Sequence, residues 1–561
     1  MKHASRLGLL AASVALALAL PSFAYATADD QKEMATEDEI RMAEEAGLIE
    51  TSPYQAEESD ATTFAHNSYS IKSYAGETLY DTAAEIATSA HPSSDWVIIA
   101  SGNSFVDALT SSSLAGALKC PILLTDVQYL PEVTAHALES IGARNIIITG
   151  GQAVVSENVE NALAAYGTVT RLFGETQYDT QLALYEFGMN QGLWNTGSII
   201  VATGSTLETC AGDALSISPL AYKEAIPIFL MDSTGSIPEQ TAPVLSGNTT
   251  VTEAIVVGGP VVVSEESFAT VDGICRANGG AAMRVAGQTS YDTSEAVARW
   301  TTNNDRLTWE HAAFSTGMKP YDALAGSALQ GTLGSVLLLA DKGMQQNMEL
   351  LSSQAPSSYS YLGGQYWFPN YLKAGYALNQ GRSLNDIEGF IVYLDAGHGF
   401  DGMGNGILDP GAGGCGYWES DLTTELANKV ASVLRNEYGM AVYVNNDGYY
   451  KYRQAEAANL NCGAFVSMHF NAGGGSGTES YIHTYRAASG SDVLQRRVHW
   501  GLVSSLRLYD RGMLQEQFAV CGGNVPAVLL EVAYIDNWSD MNTYRSRIDS
   551  VAHGIAASIA E

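Results

Sequence analysis

Basic side chains are scarce in this sequence. Its 561 residues include 28 lysines and arginines against 61 aspartates and glutamates, which gives a formal net charge of −33. A chain with this charge repels polyphosphates, which argues against nucleic-acid binding through a basic face. Hydrophobic residues make up 46% of the chain. At about 150 residues per domain, the length predicts three to four packed units.

Cysteine is also rare, and several common motifs are absent. The six cysteines lie far apart and form no Cys-x-x-Cys pair, which argues against a disulfide framework and a zinc ribbon. No Gly-x-Ser-x-Gly elbow supports a serine hydrolase. The glycines show no three-residue period, which excludes collagen. We expect most cysteines to be small buried hydrophobic residues: Cys120, Cys210, Cys275, Cys415, Cys462 and Cys521.

The N-terminus has the layout of a secretory signal peptide. Lys2 and Arg6 give a positive start, residues 7–20 are an apolar run, and Ala24-Tyr25-Ala26 is a small-x-small cleavage site. The run is short for a bilayer span, which needs about 20 apolar residues, and no later segment is long and apolar enough. The sequence therefore predicts export after cleavage behind Ala26, with no membrane span in the mature chain.

Residues 27–69 are rich in aspartate and glutamate and poor in large apolar residues. Part of this stretch has the pattern of a short helix. Such a composition is typical of a solvated segment, so we expect a mobile acidic spacer.

From about residue 70 the sequence repeats itself three times. Each copy opens with Gly-x-x-x-Tyr-Asp-Thr, at Gly76, Gly174 and Gly287. In each, a helical segment, an apolar strand, an Asp-Ala-Leu element or a close variant, a second strand and a third strand ending in Gly-Gly follow. Strands that are apolar on both faces and alternate with helices predict a parallel sheet covered on both sides.

These three blocks resemble the cell-wall-binding repeat type 2 family of Gram-positive surface proteins. The resemblance implies a pseudo-threefold trio of α/β domains that holds an anionic secondary wall polymer noncovalently. The net charge opposes binding of a polyanion, so basic grooves, a calcium or magnesium bridge and a less charged ligand all stay open. Arg171 and Arg284 in the motif openings either supply local positive charge or pair with carboxylates of the repeats.

In the C-terminal part, three polar residues follow core strands. His398 lies just after an apolar strand that ends at Leu394, His469 follows a second such strand, and Glu531 follows a third. In an open α/β sheet, ligands bind outside the carboxyl ends of the strands, so we expect these residues to share one crevice. Glu419 precedes an apolar stripe of helical period and opens a helix, where a carboxylate is also favoured by the dipole.

Two imidazoles and one carboxylate are the ligand set of a catalytic zinc site with an open position. Zinc lowers the pKa of bound water to about 7. A further carboxylate is then needed to take up the proton and return it to the leaving amine, and Glu531 is the candidate. Each histidine taken alone could be structural, and Glu419 alone could be a simple helix-start residue.

The same residues carry a second resemblance, to the zinc-dependent N-acetylmuramoyl-L-alanine amidase family, type 3. The motifs are Asp395-Ala-Gly-His398-Gly, Glu419, the Arg453 segment, Ser467-Met-His469-Phe-Asn471-Ala, Gly477-Thr-Glu479 and Pro526-Ala-Val-Leu-Leu-Glu531. The resemblance implies that His398, Glu419 and His469 bind zinc, that Glu531 is the catalytic acid/base and that Asn471 contacts substrate. Ala396, Phe400 and a Gly-rich insertion before Glu419 depart from the family pattern, and Cys415 is a possible competing ligand.

The sequence thus predicts an α/β multidomain protein, secreted and held at the cell wall, that hydrolyses the muramoyl–L-alanine amide of peptidoglycan. A surface-layer or adhesin protein with an inactive sugar-binding domain is one alternative, and a zinc peptidase or deacetylase is another. The predicted boundaries are 1–26 for the signal peptide, 27–69 for the spacer, 70–170, 171–283 and 284–378 for the repeats, and 388–561 for the α/β zinc hydrolase domain.

Overall fold

The computed structural model describes residues 32–50, 71–194, 197–204, 211–317, 321–340, 350–351, 353–354, 356–363, 370–387 and 389–561. The predicted signal peptide, Cys210 and most of the predicted spacer lie outside the described residues.

Each of the three repeats folds around a four-stranded parallel sheet flanked by helices. The first comprises α2 (Leu79–Ala90), β2 (Trp96–Ser101), α3 (Phe105–Leu118), β3 (Ile122–Thr125), α4 (Glu132–Ile141), β4 (Asn145–Thr149), α5 (Glu157–Leu163) and β5 (Thr168–Leu172). The second comprises α6 (Gln177–Asn190), β6 (Ser198–Thr203), α7 (Ala211–Glu224), β7 (Ile228–Met231), α8 (Ala242–Ser246), β8 (Glu253–Val257), α9 (Glu265–Ala277) and β9 (Ala281–Val285). The third comprises α10 (Ser290–Asn303), β10 (Thr308–Ser315), α11 (Tyr321–Leu333), β11 (Ser335–Leu339), β12 (Ser358–Leu362) and α12 (Asn370–Asn379). This confirms the predicted α/β class.

The third sheet is completed by the first strand of the repeat region, β1 (Ile71–Tyr74). The strand orders are β3-β2-β4-β5, β7-β6-β8-β9 and β11-β10-β12-β1, so β1 holds the place that β5 and β9 hold in the other repeats. The boundaries predicted at 170/171 and 283/284 therefore fall inside edge strands of the preceding sheet. Sequence similarity marks where each motif begins, whereas hydrogen bonding assigns the strand before it to the previous unit.

Helices α3, α7 and α11, one from each repeat, pack against one another. Small residues permit the close approach: Oγ of Ser112 lies 3.1 Å from Oγ of Ser327. A Cβ atom at Gly116 would lie 1.9 Å from the carbonyl oxygen of Tyr222 in the second repeat. The mutual packing of equivalent helices is the arrangement expected of a pseudo-threefold trio.

The recurring Gly-x-x-x-Tyr-Asp-Thr motif builds a helix start. In each copy a threonine is the N-cap and the aspartate three residues later returns the hydrogen bond, which forms a capping box. The glycine is needed because a Cβ at Gly76 would lie 2.1 Å from Cβ of Asp81. The signature that identifies the repeats is thus explained by folding.

The two arginines of the motif openings are already paired within their repeats. Nη2 of Arg171 lies 2.8 Å from Glu160, and Nη2 of Arg284 lies 3.5 Å from Glu265. Both guanidinium groups also donate to backbone carbonyl oxygens, such as Gly150 for Arg171. Of the two interpretations that the sequence left open, the structure supports internal pairing.

The C-terminal domain is built on a mixed sheet of order β17-β13-β18-β21-β19-β20, extended at β13 by the short β14. Strands β13, β17, β18 and β21 are parallel, and β19 runs antiparallel to β21. The elements are β13 (Ile391–Phe400), β14 (Leu408–Asp409), β15 (Gly413–Gly414), β16 (Tyr417–Trp418), α13 (Glu419–Tyr438), β17 (Ala441–Asp447), α14 (Arg453–Asn459), β18 (Ala464–Asn471), β19 (Thr478–His483), α15 (Ser491–Leu506), β20 (Asp510–Glu516), β21 (Ala527–Tyr534) and α16 (Trp538–Ala560).

In residues 32–50, the described part of the predicted spacer, the structure contains the short helix that the pattern predicts, but the segment is docked on the protein rather than free. This segment contains helix α1 (Glu37–Glu45) and packs on the C-terminal domain, with Ile49 buried. Its acidic residues find polar and basic partners there: Glu33 pairs with Lys451 at 2.7 Å, and Glu44 accepts from Asn459 at 2.8 Å. Composition fails here because the partners are distant in sequence.

None of the helices in the described part of the chain has the length and apolar character needed to cross a bilayer.

The described cysteines are free. Four of them are buried and Cys415 is half-buried, which agrees with their expected role as small apolar residues.

We predict that Gly116→Ala destabilises the repeats by about 1–3 kcal/mol because the added methyl group meets the backbone of α7. Gly273 is the matched control, since it also lies in a helix but has no atom within 4 Å of its would-be Cβ. Gly273→Ala should stabilise by about 0.5–1 kcal/mol. Urea unfolding midpoints compare the two, and equal shifts would contradict the close helix packing.

Candidate metal centre

The candidate site lies at the carboxyl ends of neighbouring strands. His398 is near the end of β13, His469 near the end of β18 and Glu531 on β21, where it pairs in register with His469. Glu419 is the first residue of α13, whose buried stripe of Leu422, Leu426, Val430 and Val433 packs on the core. The structure therefore brings all four predicted residues to one place.

Three of these residues form a compact set of metal-ligating atoms. Nε2 of His398 lies 3.1 Å from Oε2 of Glu419, and Nδ1 of His469 lies 3.1 Å from Oε1 of Glu419. One donor atom from each residue lies within 4.8 Å of the others, and all three side chains are buried. No other cluster of His, Cys, Asp or Glu in the described residues meets this test, and Cys415 is not part of it.

His398 is held in a left-handed backbone conformation with φ of 68°. Such a conformation is costly for a residue with a side chain and persists where the surroundings fix it. The buried Arg453 fixes it by donating to the carbonyl oxygens of His398 (2.7 Å) and Ala396 (3.0 Å). Arg453 is anchored by Asp395, which also accepts from Ser467 at 2.6 Å.

The side chain of His398 is oriented by Asp409, which sequence reasoning missed. Nδ1 of His398 donates to Oδ2 of Asp409 at 2.8 Å, leaving Nε2 directed at Glu419. Carboxylates that hold the second nitrogen of a ligating histidine are typical of metal sites. Asp409 lies in a Gly-rich stretch that resembles a loop insertion, and only the pairing of β14 with β13 brings it back to the site.

Glycines leave room for the two imidazoles. A Cβ at Gly397 would lie 2.4 Å from Cε1 of His469, and one at Gly411 would lie 2.6 Å from Cδ2 of His398. Gly411 also has a φ of 64°. Side chains at either position would displace a ligand.

The electrostatics of the site favour a cation. Burial disfavours the imidazolium of His398, but attraction to Glu419 and the hydrogen bond to Asp409 outweigh it and raise its pKa to about 10. Burial likewise opposes the charged form of Glu419, yet the two histidines hold its pKa well below the usual range. The same carboxylates would stabilise a divalent ion, and the two-His, one-carboxylate set fits zinc.

Glu531 differs from the three candidate ligands in having no partner for one oxygen. Its Oε2 is buried and accepts no hydrogen bond from the described residues. Burial, followed by repulsion from Glu419 and Glu479, raises the pKa of Glu531 well above its ordinary value. A raised pKa lets a carboxyl group hold a proton more readily, which suits a general acid and base.

Asn471 lies two residues after His469 on β18 and pairs with Tyr534 of β21, and its amide is engaged within the protein. Nδ2 donates to Oε1 of Glu479 at 2.6 Å, and Oδ1 accepts from Ala472 at 2.8 Å. Glu479, the residue paired with Glu531 across β19 and β21, also accepts from Nε of Arg511 at 2.7 Å. Glu479 belongs to one of the motifs of the amidase resemblance, but the sequence analysis assigned it no role. It too lies on a strand of this sheet.

A groove of about 520 Å³ adjoins the centre. Gly399 and Ser420, the neighbours of His398 and Glu419, contribute to its wall, and its charged lining residues are all acidic: Asp421, Glu425 and Asp447. The four candidate site residues themselves do not line this groove.

Comparison with known proteins agrees with both resemblances. The family model described as N-acetylmuramoyl-L-alanine amidase matches residues 392–561, and the cell wall binding domain 2 model matches residues 74–160, 171–268 and 284–371. N-acetylmuramoyl-L-alanine amidase LytC of Bacillus subtilis is 25% identical over 88% of this chain and 94% of its own length. The sporulation-specific N-acetylmuramoyl-L-alanine amidase of the same organism is 34% identical over 30% of this chain and 67% of its own.

Among solved structures, Cwp6 from Clostridium difficile covers 90% of this chain and 82% of its own, with a TM-score of 0.50 and 22% identity. At this identity the likeness concerns the fold. It supports the arrangement of three α/β repeats followed by a mixed-sheet domain.

We predict that Asp409→Asn weakens divalent metal binding by about 10–100-fold, because the orientation of His398 is lost. Asp549 offers a control, since it is a surface aspartate paired with Lys429 at 2.7 Å. Competition with a chromophoric chelator measures both variants. Unchanged affinity in Asp409→Asn would show that Asp409 does not orient a ligand.

Proposed function

We propose zinc-dependent hydrolysis of the amide between N-acetylmuramic acid and L-alanine for this chain, which belongs to the N-acetylmuramoyl-L-alanine amidase family and carries three cell wall binding domains. The observation that carries the zinc assignment is the convergence of donor atoms from His398, Glu419 and His469 within 4.8 Å of one another.

His398, Glu419 and His469 would hold the zinc ion. When bound in such a site, zinc lowers the pKa of water to about 7 and polarises a carbonyl oxygen. The role of this chain's other residues is to fix that geometry. Arg453 and Asp395 hold the backbone of His398, Asp409 holds its imidazole, and the amide nitrogens of Ala412 and Phe470 hold the carboxylate of Glu419, each at 2.9 Å.

Glu531 is the proposed acid and base. It faces the same crevice as His469, and its unpartnered oxygen is free to accept a proton from the attacking water. Its raised pKa lets the carboxyl group keep that proton until the leaving amine of L-alanine takes it. Asn471 is proposed to help line the substrate site through its link to Glu479.

The two alternatives are less well supported. An adhesin with an inactive domain has no need for three buried donors, an orienting Asp409 and a proton carrier. A peptidase or deacetylase could use the same donors, so the bond that is cleaved must be identified directly.

Wall attachment is the proposed function of the repeats. We propose that they hold an anionic secondary wall polymer and that divalent cations bridge the two partners. The pairing of Arg171 and Arg284 with Glu160 and Glu265 supports the bridge, because these arginines bring little unpaired charge. Tethering raises the concentration of wall bonds around the active site without new contacts there.

Residues 1–26 are proposed as the signal peptide that directs secretion to the wall, on the evidence of their charge and apolar pattern. The wall-binding repeats agree with this destination.

We predict that Glu531→Gln lowers the hydrolysis of purified walls by about 10²–10⁴-fold while zinc content is unchanged, because only the proton carrier is lost. Glu437→Gln, a surface change at a residue paired with His553, is the control. Turbidity measures the rate, and mass spectrometry should show new amino groups on L-alanine. Equal clearing by both variants, or new D-amino-acid ends or glucosamine, would contradict the proposal.

We predict that the full chain sediments with native walls and is released when acid strips the secondary polymer from them. Chelation should also release it, because the bridging cations are removed. Retention on stripped peptidoglycan would show that the polymer is not the ligand, and retention in chelator would exclude the cation bridge.

A further inference from the structure

Arg511 is an exposed arginine at the edge of the metal centre. Its Nε donates to Oε2 of the buried Glu479, while the side chain remains 37% exposed. Neither Nη nitrogen has a hydrogen-bond partner among the described residues, and the guanidinium lies 5.3 Å from the ring centroid of Tyr534. In a chain of net charge −33, such a cation with donors to spare points to an anionic ligand.

A register row connects Arg511 to the proposed acid/base. His469 pairs with Glu531, Glu531 pairs with Glu479, and Glu479 pairs with Gly512 across β18, β21, β19 and β20. Neighbouring strands lie about 4.8 Å apart. The guanidinium is bonded to Glu479 and so lies over β19, one strand beyond Glu531.

A β-bulge aims Arg511 in this direction. Thr478 pairs with Asp510 but Glu479 pairs with Gly512, so Arg511 is the extra residue on β20. Gly512 has a φ of 105°, and a Cβ at Gly477 would lie 3.1 Å from Cγ of Arg511. Bulges commonly re-aim a side chain beside an active site.

The side of the metal centre next to His398 does not attract an anionic ligand. The groove next to His398 has acidic residues in its wall, among them Asp421 and Asp447. Arg453 is buried and donates to Asp395 and to backbone carbonyls. An anionic group bound at the centre would therefore be attracted to the side on which Arg511 lies.

The substrate of the proposed reaction supplies such an anion. In peptidoglycan, L-alanine is followed by D-glutamate linked through its γ-carboxyl, so the α-position is a free carboxylate or, where amidated, a neutral amide. Residues of an extended peptide are about 3.5 Å apart, which places this group one to two strands from the cleaved bond.

We propose that the Nη groups of Arg511 bind the α-carboxylate of the second stem residue and thereby select free-acid over amidated stem peptides. This inference rests on the proposed function and deepens it. A guanidinium forms paired, charge-assisted hydrogen bonds with a carboxylate, whereas an amide offers it a single neutral acceptor, the carbonyl oxygen.

The test compares muramoyl-L-alanyl-D-glutamate with its α-amide as substrates of the full zinc-loaded chain. We expect kcat/KM to favour the acid by about tenfold, the effect of one partly exposed charge-assisted pair. Arg511→Gln should bring this ratio to about one through a higher KM for the acid. The ratio is independent of any general loss of activity.

Because Arg511→Gln removes the basic partner of Oε2 of Glu479, the double variant with Glu479→Gln provides a neutral pair at the same place and should also show no preference. Arg496→Gln, which removes an exposed arginine paired with Asp492 at 3.7 Å, should keep the preference. A ratio of one in the wild-type chain would overturn the inference. So would either Arg511 variant that keeps the wild-type preference for the acid.

Calorimetric binding of L-alanyl-D-glutamate and L-alanyl-D-isoglutamine to the metal-free chain separates this inference from the proposed function. Tighter binding of the acid that depends on Arg511, without hydrolysis of either substrate, would contradict the amidase proposal alone. Hydrolysis and binding without discrimination would contradict the role of Arg511 alone.

Discussion

The C-terminal domain is organised around one interaction, that of the buried Glu419 carboxylate with the two imidazoles on either side of it. An unpaired carboxylate with 3% exposure would be too costly to keep, so His398 and His469 must approach it closely. The left-handed turn at His398, the Arg453–Asp395 pair and the glycines at 397 and 411 serve this approach. Each is unfavourable or needless by itself, and together they produce a candidate cation site beside Glu531.

The repeats are organised differently: the same local structure occurs three times, and the first strand of the region completes the last sheet. Capping boxes start equivalent helices, small residues let α3, α7 and α11 meet, and β1 completes the last sheet from the beginning of the region. The residues that identify the repeats in the sequence form helix caps and ion pairs within the repeats. Affinity for the cell wall must then come from contacts other than these residues.

Sequence reasoning found what depends on local pattern. Strand exits gave His398, His469 and Glu531, and the apolar stripe behind Glu419 gave its helix. Asp409 was missed because it lies in a Gly-rich stretch that returns to β13 only through β14. The direction of Arg511 comes from a bulge, which leaves no periodic signal. The pairing of β1 with the last sheet and the docking of residues 32–50 depend on partners far along the chain. For residues 32–50, the acidic composition led to the expectation of a mobile spacer.

The most direct measurement of the central claim is the metal content of the purified full chain, wild type beside His469→Ala, by elemental analysis after exhaustive dialysis. The account predicts one zinc per wild-type chain and almost none in the variant, with both proteins giving the same far-ultraviolet circular dichroism. A folded wild-type chain that takes up no zinc when the ion is supplied, or a His469→Ala variant that retains a full equivalent, would contradict it.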